Sequence, residues 1–209
     1  MRLYLLTLGF ITDMIRSGSI DPAHARGKLK FRLPTHSPLA GPPANGDLGP
    51  GLHKLNIVRG GRDGLIYIPP SVERHGSAAA VVVFLHGAGD NANRFLRTLQ
   101  PQADQTGVIF LIPESRFSTW DFIARGGFGP DLAFIDSALD WLTARYTINT
   151  RKLALGGFSD GASYALSVGL MNGNLFSHVL AFSPGFMQLV EVTDQKPVVF
   201  MSHGEYIVL

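Results

Sequence analysis

Six short apolar runs, none of them alternating with polar residues, recur along the chain. They are Leu65-Ile66-Tyr67-Ile68, Ala80-Val81-Val82-Val83-Phe84-Leu85, Val108-Ile109-Phe110-Leu111-Ile112, Leu153-Ala154-Leu155, Val179-Leu180-Ala181-Phe182 and Val198-Val199-Phe200-Met201. A strand that is apolar at every position has both faces covered, which is the condition of a parallel sheet between helices. The intervals between runs leave room for crossover helices. One helix is expected to open at Gly129-Pro130-Asp131, with Pro in its first turn and an acid near its positive end. Its apolar residues Leu132, Ile135, Leu139, Leu142 and Tyr146 step by three and four, as one buried helical face requires. A second helix is expected from about Asn91 to Ala103 and a third from Asp160 to Met171. Strands alternating with helices predict an α/β fold with a mostly parallel sheet and helices on both faces.

This pattern begins only near Leu55. Residues 34–52 carry Pro34, Pro38, Pro42, Pro43 and Pro50 among several glycines, the composition of an extended linker. Residues 1–50 are therefore expected to be leader and linker without much order, and 51–209 the folded domain. Residues 1–62 hold nine Lys/Arg against three Asp/Glu, whereas the formal net charge of the whole chain is only +2. These basic residues are scattered among Pro, Gly, His and Leu with little aromatic interleaving, so no nucleic-acid partner is expected. The stretch from Met1 to Ile11 resembles the start of a secretory signal, and Ala23-His24-Ala25 has the form of a cleavage site. Asp13 and Arg16 interrupt that pattern, leaving localisation open between the cytoplasm and export. The chain has no cysteine, which excludes disulfides, thiolate metal sites and a Cys nucleophile. No apolar run approaches the ~18 residues of a membrane span.

Gly157-Phe158-Ser159-Asp160-Gly161 has the form G-x-S-x-G. It follows the run Leu153–Leu155 and precedes the helix expected from Asp160, the strand–turn–helix setting of a nucleophile elbow. There Ser159 is the candidate catalytic nucleophile. Glycines at 157 and 161 are expected because side chains there would collide with neighbouring elements. The run Ala80–Leu85 ends in His86-Gly87-Ala88-Gly89-Asp90, an H-G-x-G loop. Such a loop offers one backbone N–H to a tetrahedral oxyanion while the residue after the nucleophile offers another. Those two donors are Ala88 and Asp160, the candidate oxyanion hole, with His86 an organiser of the loop. A rival reading takes Gly87-Ala88-Gly89-Asp90-Asn91-Ala92 as a dinucleotide fingerprint with Glu114 on the ribose. It puts the negative Asp90 beside a pyrophosphate and leaves Ser159 unexplained.

From Gly51 to Met187 the sequence resembles the phospholipase/carboxylesterase group of the α/β-hydrolases, in particular bacterial esterases related to polyhydroxybutyrate depolymerases. The resemblance rests on Gly61-Arg62-Asp63-Gly64-Leu65-Ile66-Tyr67, Leu85-His86-Gly87-Ala88-Gly89, Gly157–Gly161 and Phe182-Ser183-Pro184-Gly185. It implies the α/β-hydrolase fold and a Ser-Asp-His esterase that acts on small or medium acyl esters and uses no cofactor or metal. It also implies that Trp120, in Thr119-Trp120-Asp121, lines the substrate pocket.

In hydrolases of this fold the acid and the His follow the nucleophile in that order. The resemblance puts the acid just after the run Val198–Met201 and the His beyond one more strand. The sequence there reads His203-Gly204-Glu205-Tyr206-Ile207-Val208-Leu209 and ends. Glu205 stands too early for the expected Asp, and the His residues after Ser159, His178 and His203, read as strand-end residues. The expectation is a hydrolase domain missing its last strand and helix, with Ser159 weakly active or inactive. Val198–Met201 would then be an exposed apolar edge suited to self-association. A binding protein without catalysis, and a peptidase or thioesterase of the same fold, stay open as alternatives.

Overall fold

In the computed structural model of the chain, residues 20–33, 48–72 and 78–204 are described. The signal-like start, most of the Pro/Gly-rich linker and the tail from Glu205 lie outside them. Among the described residues seven strands form one sheet. They are β1 (Gly51–Lys54), β2 (Gly64–Ile68), β3 (Ala79–Leu85), β4 (Ile109–Pro113), β5 (Ile148–Phe158), β6 (His178–Phe182) and β7 (Val198–Ser202). Their order across the sheet is β1-β2-β4-β3-β5-β6-β7. β1 pairs antiparallel with β2, and β2 with β4, while every pairing from β4 through β3, β5 and β6 to β7 is parallel.

The apolar runs have the two-sided burial they predict. Ile66, Ile68, Val81, Val83, Leu85, Ile109, Leu111, Leu153 and Leu155 point into one core; Leu65, Tyr67, Val82, Phe84, Phe110, Ile112 and Ala154 point into the other. This odd–even division is the period-two geometry of a strand, with a hydrophobic layer on each face. The first core is closed by α4 (Pro130–Thr143) and α5 (Asp160–Met171), the second by α2 (Ala92–Thr106); α1 (Pro22–Ala25) and α3 (Asp121–Arg125) are short. Asn91 caps α2, its side chain accepting the Asn93 N–H at 3.0 Å, and Gly107 ends it at φ 70°. β5 begins five residues before the run that revealed it, because Thr150, Arg151 and Lys152 extend it with polar, exposed positions.

Residues 20–33 correct the expected division at residue 50. They are not leader but part of the folded body, with Ile20, Leu29 and Phe31 buried. The segment is tied down by two side chains of the helical layer. Asp136 accepts the N–H groups of Lys30 and Phe31 at 2.9 Å and stands 2.6 Å from His24 Nε2. Asn172 accepts from Leu29 N–H and donates to the Gly27 carbonyl. Ala23-His24-Ala25 thus lies within α1, with His24 buried.

β7 is the outer strand on its side among the described residues, and Val198, Val199, Phe200 and Met201 are 65%, 40%, 52% and 54% exposed. No helix among the described residues is long and apolar enough to cross a membrane.

Candidate active site

Parallel strands place all their C-terminal ends on one rim, where β5 hands the chain to α5 through Ser159. Ser159 has φ 54° and ψ −119°, a conformation that costs an L-residue about 1–3 kcal/mol and persists only where its surroundings impose it. Three constraints do so here. The Ser159 N–H donates to the Phe182 carbonyl on β6 at 2.9 Å, and its carbonyl accepts Ser163 N–H at 3.0 Å as the helix begins. A β-carbon on Gly157 would run into the backbone of Gly161, and one on Gly161 into the carbonyls of Leu85 and His86. Both glycines are therefore obligatory, and the elbow is locked against the end of β3. Phe182-Ser183-Pro184-Gly185 contributes from the other side, Ser163 Oγ accepting the Gly185 N–H at 2.9 Å.

The loop after β3 lies beside Ser159: a β-carbon on Gly87 would touch Ser159 Cβ at 3.5 Å. Within it the Gly89 N–H is taken by the Ser118 carbonyl at 2.7 Å and the Asp90 N–H by the Gly87 carbonyl at 3.2 Å. The Ala88 N–H has no acceptor among the described residues, nor has the Asp160 N–H at the start of α5. The turn at Ser159 and the loop beside it thus each keep one backbone donor without an acceptor among the described residues.

His86 is a fixed part of this loop. Its Nδ1 stands 2.7 Å from the Gly87 carbonyl, which can only accept, so Nδ1 carries the hydrogen. Nε2 then accepts the Ser115 N–H at 3.0 Å and faces Arg62 Nη2 at 3.3 Å. Burial, with the Arg62 charge nearby, holds the imidazole below its ordinary pKa and keeps it neutral. With its lone pair engaged, His86 organises the loop and is not a base. Arg62 completes the frame by donating to the carbonyls of Ser115 and Asp90.

Trp120 departs from its expected place in the pocket wall. It is fully buried, and its Nε1 donates to the His86 carbonyl at 2.9 Å, with its ring between those of His86 and Tyr164. A side chain enclosed on all sides offers a substrate no surface. Tyr164 was silent in the sequence because an apolar helix face normally takes an aromatic without polar work. Its hydroxyl donates to Asp121 Oδ1 at 2.8 Å.

The two His residues after Ser159 stand at strand ends, as expected, and neither is hydrogen-bonded to Ser159. His178 opens β6 at the opposite end of the strands, hydrogen-bonded to Ser177 Oγ at 2.9 Å. His203 follows β7 on the same rim as Ser159, but two strand spacings away, about 10 Å. Among the described residues, no imidazole or carboxylate hydrogen-bonds to Ser159 Oγ; Glu205 lies outside them. No group of three His, Asp or Glu side chains placed to hold a metal ion occurs among the described residues.

The dinucleotide reading does not fit this loop. Glu114 Oε1 accepts the Ala92 N–H at 3.2 Å, and Asp90 Oδ1 the Asn91 N–H at 3.0 Å. These are the helix-start donors that a pyrophosphate would use. A cavity of about 310 Å³ lined by Lys54, Asn56, Asp63, Asn93 and Glu114 opens beyond the loop, and Ser159 is not in its wall.

No family model matches the chain, and no curated protein matches it by sequence. Solved structures do match. Native pOPH aligns with a TM-score of 0.53 at 18% identity, over 74% of this chain and 56% of its own. FphF, a fluorophosphonate-binding serine hydrolase of Staphylococcus aureus solved with substrate bound, gives 0.53 at 15% identity, over 65% of this chain and 58% of its own. Esterase PE8 gives 0.50 at 22% identity, over 68% of this chain and 74% of its own. The chain thus spans a little over half the length of the first two. Its sheet order and its likeness to these structures agree: the protein has the α/β-hydrolase fold, with esterases and serine hydrolases as its structural neighbours.

Proposed function

We propose that the protein is a serine hydrolase of carboxylic esters, with Ser159 as nucleophile and the N–H groups of Ala88 and Asp160 as the oxyanion hole. The observation that supports this reading is the strained Ser159, followed by one backbone donor and adjoined by a loop with another, neither having an acceptor among the described residues. Ser159 Oγ attacks the acyl carbonyl carbon, its proton leaves to a base, and negative charge develops on the carbonyl oxygen. Each donor aimed at that oxygen is worth roughly 3 kcal/mol in the transition state. The C–O bond to the alcohol then breaks, the alcohol takes up a proton, and water releases the acid from Ser159 by the same route. The substrate class is a small-molecule ester of small or medium acyl length, and none of these steps needs a cofactor.

The described residues supply no base to Ser159, so the reading includes weak turnover by the 209-residue chain. Incubated with p-nitrophenyl acetate, the protein is expected to release nitrophenol far below ordinary enzyme rates, with an acyl group left on Ser159 that Ser159→Ala abolishes. Release unaffected by Ser159→Ala would overturn the assignment. Turnover at ordinary rates that depends on Ser159 would overturn only the weakness and show that another residue serves as base. That no described residue supplies a base to Ser159 also favours a second reading, a hydrolase-fold protein that binds esters without cleaving them. In that case a fluorophosphonate leaves Ser159 unlabelled while ester ligands still bind. Self-association through the exposed strand Val198–Met201 belongs to either reading.

A further inference from the structure

Ala88 and Asp160 sit on separate elements, one in the loop after β3 and the other at the start of α5. An oxyanion hole works only when its two donors are held at a fixed separation, and misplacement by about 1 Å costs on the order of 10²-fold in rate. Four consecutive residues after β4 tie these elements together. The Ser118 carbonyl accepts the Gly89 N–H at 2.7 Å. Thr119 Oγ1 donates to Asp160 Oδ2 at 2.7 Å. Trp120 Nε1 donates to the His86 carbonyl at 2.9 Å. Asp121 Oδ1 accepts from the Tyr164 hydroxyl at 2.8 Å. Along the stretch the bonds alternate: Ser118 and Trp120 hold the loop on both sides of Ala88, while Thr119 and Asp121 hold the helix that carries Asp160.

We propose that residues 118–121 form a brace that sets the distance between the two oxyanion donors, with Thr119 and Trp120 as positioning residues for the reaction at Ser159. This rests on the esterase reading above. The far end of the brace is itself anchored. Asp121 Oδ2 accepts the N–H groups of Gly129 and Asp131 at 2.9 and 2.8 Å, and the Asp131 carboxylate accepts the N–H groups of Arg116 and Asp121, both at 2.6 Å. The stretch therefore cannot drift with the loop or the helix; they align to it. Thr119 is only partly buried, so its hydroxyl can be removed without opening the core.

The test uses the full chain and a fluorophosphonate probe at high concentration, with labelling followed by intact mass. In this step the Ser159 Oγ–P bond forms and the P–F bond breaks. Fluoride leaves, the serine proton passes to the buffer, and the phosphoryl oxygen occupies the oxyanion hole. Thr119→Val is expected to slow labelling about tenfold, and Thr119→Ser to restore it to within about twofold, with the melting temperatures of both close to that of the unaltered protein. Trp120→Phe, which keeps a ring but loses the Nε1 donor, is expected to slow labelling similarly and serves if Thr119→Val folds poorly. Labelling of Thr119→Val at the unaltered rate, or equal slowing by Thr119→Ser, overturns the brace and leaves the esterase reading intact. A chain whose Ser159 is not labelled at all overturns the esterase reading instead.

Discussion

Gly161 lies so close beneath His86 that a β-carbon on it would stand 2.5 Å from the His86 carbonyl oxygen. That carbonyl is also the acceptor for Trp120 Nε1, so it cannot swing aside without breaking a buried hydrogen bond. Gly161→Ala is therefore expected to destabilise the protein by about 3 kcal/mol, the upper part of the range for an overpacked core site. Gly89→Ala is the comparison. Its φ of 67° is left-handed, unlike that of Gly161 inside α5, but nothing lies within 4 Å of an added carbon, so the cost is expected to stay near 1 kcal/mol. Urea unfolding of the two variants checks both values, and a Gly161→Ala cost no larger than that of Gly89→Ala would mean that contact with the His86 carbonyl does not explain the glycine.

The buried acids behind the site make stability depend on pH. Burial and the neighbouring Asp121 charge push the Asp131 carboxyl up to about 7. An acid that binds its proton more tightly folded than unfolded lends its full stability below about pH 4, and that contribution is lost as the pH rises through about 7. His86 works in the opposite sense: held below its ordinary value by burial, it favours the fold above about pH 6.5 and withdraws that support as the pH falls. Asp131→Asn is expected to remove the loss between pH 4 and 7. It also lowers stability at every pH by about 1–3 kcal/mol, because its NH₂ faces one of the two N–H donors that the carboxylate accepts. The check is the urea midpoint at pH 4.5 and at pH 7.5; a difference between the two unchanged by Asp131→Asn would rule this acid out as its cause.

Much of this arrangement was legible before the structure. Apolar runs read as strands because a strand between two helical layers has no polar face to reveal. The turn at Ser159 and the loop at Ala88 could be located because close-packed turns of this kind need glycine at fixed offsets, and glycines stand out in a sequence. What could not be read is what depends on distant partners. Residues 20–33 look like leader because their anchors, Asp136 and Asn172, are more than a hundred residues away and carry no local signal. Trp120 looks like a pocket wall because nothing nearby in sequence shows that His86 and Tyr164 enclose it. The bonds from Thr119 to Asp160 and from Tyr164 to Asp121 span 41 and 43 residues and are equally hidden.

Asp136 carries most of the load where residues 20–33 meet the helical layer. Asp136→Ala leaves the buried Phe31 N–H, the part-buried Lys30 N–H and the His24 ring without their acceptor, and is expected to cost about 3 kcal/mol. A pair of deletions tests the same contact from the other partner. Removing residues 1–25 takes away His24 and α1, whereas removing residues 1–19 leaves both in place. The longer deletion is expected to be less stable than the shorter by about 1–2 kcal/mol, since the Asp136 carboxylate then keeps two of its three partners. Equal stability of the two would show that α1 adds nothing to the folded body.

Among the described residues β7 is the outer strand of its side of the sheet, with apolar side chains exposed on both of its faces. Val198 and Phe200 stand on one face and Val199 and Met201 on the other. An outer strand with these properties is a template for pairing with a second copy, because it lacks the charges, Pro or bulge that blunt such edges. The protein is therefore expected to self-associate with rising concentration, and Phe200→Lys to weaken that association by about tenfold or more. Phe200 is the informative position because its ring, 52% exposed, lies 5.8 Å from that of Phe182, so it marks where the β7 edge joins the apolar surface of β6. His203→Ala, on the same rim but outside the strand, serves as the control and is expected to leave the association unchanged. Sedimentation velocity over a fiftyfold range of concentration reads the outcome. A monomer throughout, or an association that Phe200→Lys leaves as strong as before, would show that this edge is not where copies of the chain meet.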